Sequence, residues 1–156
     1  MNLALLRALL AAIPLFSLTL HAKNGFVYGI VGAAVLVLAV LIFFAVHAAL
    51  PETVHRLSLT LLIVVLGVIA KEILSLSSLL LVSLSILPLP DVFRRRKKWR
   101  QVISKTFFSG FIFLALLASH GLLSEILGRR LEWNLFRLPA GSYLITGFAL
   151  IFLRKK

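Results

Sequence analysis

Long apolar runs alternate along the chain with short polar and basic stretches, and the runs are long enough to cross a bilayer. A crossing helix needs about 20 mostly apolar residues, rising about 1.5 Å each through hydrocarbon about 30 Å thick. The first run covers 3–20 and is interrupted by Arg7 and Pro14. It lacks a polar start and a small-residue cleavage site before Lys23, so it reads as a span rather than a cleaved signal. The second run, 25–50, opens on Gly25, Gly29 and Gly32, small residues that let helix backbones approach closely, and stops at Pro51–Glu52. From 57 to 90 the chain is nearly all apolar apart from Lys71 and Glu72. One helix over that range would be about 51 Å long, far more than the hydrocarbon needs. The pattern therefore predicts a hairpin of two helices, 57–70 and 73–90, broken at Lys71–Glu72. A fifth helix is predicted over 106–123 and a shorter sixth over 138–153, with Trp133 as an interfacial anchor in the polar segment between them. The expected fold is an all-α membrane protein, one integral domain over 1–156 with six transmembrane helices.

Composition supports this reading. Of the 156 residues, 61% are hydrophobic and only 14% charged, and the mean hydropathy is +1.08. A soluble domain of this size is nearer half apolar, so lipid must cover much of the surface. The net charge of +12 would suggest nucleic acid in a soluble chain. Here the basic residues flank apolar spans and meet anionic headgroups, and no nucleic-acid partner is expected. With six spans, one side receives Arg7, Arg56, the basic positions from Arg94 to Lys105, and Arg154 to Lys156. The other receives Lys23, Lys71, Arg129, Arg130 and Arg137. The excess of Lys and Arg then puts both termini in the cytoplasm of a chain integral to the cell (inner) membrane. The loop with Arg94, Arg95, Arg96, Lys97, Lys98 and Arg100 reads as a topology determinant on anionic lipid, or as a dock for a cytoplasmic partner subunit.

Two local echoes suggest internal symmetry. Ala12–Ile13–Pro14–Leu15 resembles Ile86–Leu87–Pro88–Leu89, three helices further on, as a three-plus-three inverted repeat would produce. Lys71–Glu72–Ile73–Leu74 resembles Ser124–Glu125–Ile126–Leu127. Glu72 and Glu125 are either two carboxylates at the water boundary or the mouth of an ion path, since carboxylates near the membrane often mark such paths.

Longer motifs give a resemblance. Gly121–Leu122–Leu123–Ser124–Glu125–Ile126–Leu127–Gly128 is similar to a G-x-x-x-E-I-L-G signature of the six-helix membrane subunits of the Rnf and Nqr redox-driven ion pumps. Leu138–Pro139–Ala140–Gly141–Ser142–Tyr143 with Gly147 resembles the start of that family's last helix, and Asn24–Gly25 and Pro51 fit the bounds of its second. The match spans nearly the whole chain and is nearest to the RnfE/NqrD side of the family's paired subunits. The resemblance implies a partner subunit of opposite topology, further redox subunits, and a [2Fe-2S] cluster held between the pair by two cysteines from each. This chain has no cysteine. The two family positions carry Ile13 and Ser85; isoleucine has no ligand atom and serine is a poor substitute for thiolate at iron. No cofactor of its own is expected. The implied function is a divergent, non-catalytic subunit of such a translocase, acting as scaffold or ion path. The alternative is a stand-alone small membrane protein or transporter that kept the fold and lost the redox role.

Little other chemistry is suggested. His21, His47, His55 and His120 stand apart at predicted helix ends, with no partner at metal-ligand spacing, and read as interfacial. There is no Gly-rich phosphate loop and no nucleophile constellation, so no catalytic residue is assigned.

Overall fold

The computed structural model describes residues 3–86, 99–130, 140, 141, 143–145 and 147. Every regular element among them is helical: α1 (Leu3–Phe16), α2 (Ala22–Val46), α3 (His55–Leu74), α4 (Leu79–Ile86) and α5 (Trp99–Glu125). Short 3-10 turns, His47–Ala49 and Glu52–Val54, join α2 to α3, and a π-helical turn, Ile126–Arg130, extends α5. Three segments are long and apolar enough to cross a membrane: α2, Leu57–Leu74 of α3, and Gln101–Gly128. The chain is therefore a membrane protein. At 14 and 8 residues, α1 and the described part of α4 rise only about 21 Å and 12 Å. The sixth predicted helix, 138–153, lies largely outside the described residues; those of its positions that are described are helical. Trp133 and the run Arg94–Lys98 also lie outside them.

The helix bounds differ from the sequence expectation for identifiable reasons. α1 stops at Phe16 rather than at 20, two residues after Pro14. There Ser17 donates its hydroxyl to the Pro14 carbonyl and Thr19 to the Phe16 carbonyl, side-chain bonds that compete with continued helix. α2 starts at Ala22 instead of 25, because the Glu125 carboxylate accepts the Ala22 N–H at 3.0 Å and fills the place of an N-cap. α5 starts at Trp99 instead of 106, so Arg100 and Lys105 stand on the helix and not in a loop. No Gly or Pro interrupts 99–106, and the inward stripe of α5 already begins at Val102.

The largest correction concerns the hairpin. The break between α3 and α4 falls at Ser75–Ser78, not at Lys71–Glu72, which form the last turn of α3. Lys71 and Glu72 are good helix formers and reach water there as an ion pair of 3.0 Å. The serines end the helix. Ser75 takes the left-handed conformation (φ 50°, ψ 43°), and the Leu76 N–H donates back to the Lys71 carbonyl at 3.0 Å, as in a Schellman stop. Ser77 Oγ then accepts the Leu79 N–H at 3.3 Å as α4 begins.

The most extensive helix contact joins α2 and α5, which run antiparallel. Gly25, Gly29 and Gly32 of α2 face Leu117, Leu114 and Phe113 of α5, and Gly110 faces Ala33. A Cβ on Gly25 would strike the Leu117 carbonyl, so bare backbone is required at that crossing. α1 packs on both α4 and α5, and α3 packs on α2 and α4. One continuous core results, with Ala12 and Leu15 of α1, Leu36 and Ala39 of α2, Leu59 and Ile63 of α3, Leu80 and Leu84 of α4, and Phe113 and Leu117 of α5. The reverse side of α3 exposes Leu57, Leu61, Val65, Ile69 and Ile73, a stripe suited to contact with lipid.

Candidate functional site

Polar side chains gather where the α1–α2 turn crosses the end of α5. Along α5 the buried positions Val102, Thr106, Ser109, Phe113, Leu117, His120 and Ser124 recur at steps of three and four, which defines one inward face. His120 is the one ionisable side chain among the buried described residues. Its Nδ1 lies 3.0 Å from Thr19 Oγ1, and its ring stacks on Phe16 with centroids 4.3 Å apart. The Thr19 hydroxyl also reaches the Phe16 carbonyl at 3.3 Å. Which of the Thr19 hydroxyl and His120 Nδ1 donates across their contact depends on the imidazole tautomer. One turn on, Glu125 holds the Ala22 N–H. Between these two contacts, a Cβ on Gly121 would come within 2.8 Å of the His21 carbonyl and 3.1 Å of the Ala22 Cα. Glycine is what lets the turn lie flat on α5. Asn24 adds a bond from Nδ2 to the Leu18 carbonyl at 3.2 Å.

The α3–α4 turn sits at this same end, since the Ser77 N–H donates to the Tyr28 hydroxyl of α2 at 3.2 Å. Glu72 and Glu125 therefore lie at one end of the bundle, as their place at helix ends suggests. They differ in setting: Glu72 is exposed and paired with Lys71, whereas Glu125 is half-buried and bonded to backbone. Two further hydroxyls, Ser83 on α4 and Ser109 on α5, are buried without a hydrogen-bond partner.

The other histidines divide. His21 is exposed. His55 donates from Nε2 to the Leu50 carbonyl at 2.9 Å and meets the Phe43 ring edge-on, fixing the α2–α3 connection. His120, which the sequence suggests is interfacial, is instead buried. Its spacing from Phe113 and Leu117 was the available signal, obscured because its helix end looked like a water boundary.

The two positions at which the resemblance would place cysteines are on α1 and α4, which pack together. Ile13 is half-buried against the core, and Ser85 stands on α4. Neither supplies a thiolate, the usual ligand of a [2Fe-2S] centre. Among the described residues, no group of three or more His, Cys, Asp or Glu side chains is placed to hold a metal ion. Comparisons with protein-family models, curated proteins and solved structures return no match.

Proposed function

We propose that this chain is a divergent membrane subunit of an Rnf/Nqr-type redox-driven ion pump, serving as scaffold or as half of an ion path, without iron–sulfur ligands of its own. The observation that supports the reading is the packing of α1, with its Pro14, on the described part of α4, beside a central antiparallel pair, α2 and α5. Exchanging α1 with α4 and α2 with α5 maps each of these contacts onto another: α1 on α5 becomes α4 on α2, and both occur. A three-plus-three inverted repeat has this pattern. The Gly121–Gly128 motif supports the same family, and its glutamate and first glycine have definite work here, capping α2 and admitting the α1–α2 turn. In this reading six spans cross the cell (inner) membrane, both termini are cytoplasmic, and a six-helix subunit of opposite topology is the partner. Glu72 and Glu125 would lie at the non-cytoplasmic mouth of the ion path.

The missing thiolates favour a second reading, a free-standing membrane protein or transporter that kept the helix arrangement alone. One experiment separates the two. The tagged chain is isolated from its native membrane in mild detergent, and its companions are identified by mass spectrometry. Recovery with flavin- and ferredoxin-type subunits is the expected result; recovery alone, with those subunits present in the same membrane, removes the pump reading.

A further inference from the structure

The buried contact between Thr19 and His120 offers more acceptors than protons. A hydroxyl gives its one proton to one acceptor, while its oxygen can still accept from elsewhere. Two groups compete for the Thr19 proton: His120 Nδ1 at 3.0 Å and the Phe16 carbonyl at 3.3 Å. The imidazole decides between them. Where Nδ1 is bare, the hydroxyl donates to it and turns from Phe16. Where Nδ1 carries hydrogen, the Thr19 oxygen must accept, and its proton is released to the carbonyl. A neutral ring can take either form; a charged ring, with hydrogen on both nitrogens, takes only the second.

Phe16 is the last residue of α1, so this choice bears on how the helix ends. Its carbonyl already accepts the Thr19 N–H at 3.3 Å, and the hydroxyl bond closes the same turn a second time. In the second form, ring, hydroxyl and carbonyl make one directed chain in which each bond strengthens the next. The surroundings suit a cation. The imidazole lies nearly flat on the Phe16 ring, with centroids 4.3 Å apart and planes 24° from parallel, and an aromatic face attracts a cation held over it. Its own helix brings half-buried Glu125 five positions on, with Arg129 and Arg130 following in sequence. The α1–α2 turn brings His21 and α2 brings Lys23, both exposed. α1 brings only Arg7, nine positions before Phe16 and so about 13.5 Å back along the helix.

We propose that His120 and Thr19 form a proton-operated latch: a second proton on the ring commits the Thr19 hydroxyl to the Phe16 carbonyl and fixes the α1–α2 turn against the end of α5. The latch is shut at low pH and is released as pH rises through the titration of the ring. It is independent of the pump reading and would serve a free-standing protein equally.

The full chain, with nitrogen-15 in its histidines, is placed in lipid nanodiscs and taken from about pH 8.5 to about pH 5, the range in which histidine changes charge. The ring signal missing from His120→Gln belongs to His120 and reports its protonation. Hydrogen exchange over 17–22, corrected for the intrinsic pH dependence of exchange, reports the turn. Protection there is expected to rise about three- to ten-fold as His120 takes up its proton, the worth of one hydrogen bond. Thr19→Val keeps the shape without the hydroxyl; it should leave the ring titrating and the protection level with pH, and Thr19→Ser should bring the rise back. A ring that stays uncharged throughout overturns the proposal. So does protection that is level or falls as the ring is charged in the parent chain, and so does a rise that persists in Thr19→Val.

Discussion

At the scale of single residues, the glycines decide where the bundle closes. Gly25 meets the Leu117 carbonyl and Gly121 meets the α1–α2 turn, both through rigid backbone rather than the pliable end of a side chain. Gly25→Ala and Gly121→Ala should each cost about 1–3 kcal/mol, the range for overpacking a well-filled interior. Gly147 has no neighbour within 4 Å of an added Cβ, so Gly147→Ala should stay within about 0.5 kcal/mol of the parent. Thermal unfolding in one detergent checks the set, and equal midpoints for all three variants would refute the close-approach account. The stripe Gly25, Gly29, Gly32 was legible in the sequence as a contact face because small residues recur on one side of the helix. Which helix it meets was not, since glycine carries no side chain from which a partner can be read. His120 shows the opposite difficulty. Its polarity suggested water, whereas its register on α5 put it against Phe16 and Thr19.

At the scale of elements, the α3–α4 connection is the instructive case. Hydropathy located a hairpin between 57 and 90, because a single helix there would overshoot the bilayer, but it set the corner at the only charges. The corner is made instead by backbone geometry at Ser75, where φ is 50°. Charges at a helix end need only reach water, whereas a stop needs a residue able to leave the right-handed region. Since a left-handed conformation costs a non-glycine residue energy that glycine avoids, Ser75→Gly should raise stability by about 0.5–1 kcal/mol after the unfolded-state entropy of glycine is counted. A lowered unfolding midpoint would mean that the serine hydroxyl, rather than the conformation, holds the turn. The same reasoning explains the earlier start of α5. Arg100 and Lys105 suggest a loop by their charge, yet a helix can carry cations into the headgroup layer and continue.

At the scale of the whole molecule, the helix order and the distribution of charge constrain orientation together. The α1–α2 turn, the α3–α4 turn and the end of α5 share one end of the bundle, and the start of α5 belongs to the other. The positive-inside rule then predicts that a thiol at Ser78→Cys reacts with an impermeant reagent added outside intact cells, while one at Gln101→Cys reacts only after the membrane is opened. The reverse labelling pattern would invert the topology and the proposed pairing with a subunit of opposite sense. Counting apolar runs leads to an expectation of six spans; among the described residues three helices are long and apolar enough to cross a membrane, and the packing of α1 on α4 was not legible in hydropathy, which carries no record of which helices meet.

The glycine-lined seam has one more consequence. Packed helices usually slide by re-sorting side-chain rotamers at their interface, and glycine has none to re-sort. Where Gly25, Gly29 and Gly121 touch backbone and rigid neighbours, that freedom is missing. Displacing α2 along α5 would drive backbone against backbone at Gly25, so the two helices are expected to shift together, as one post rather than two.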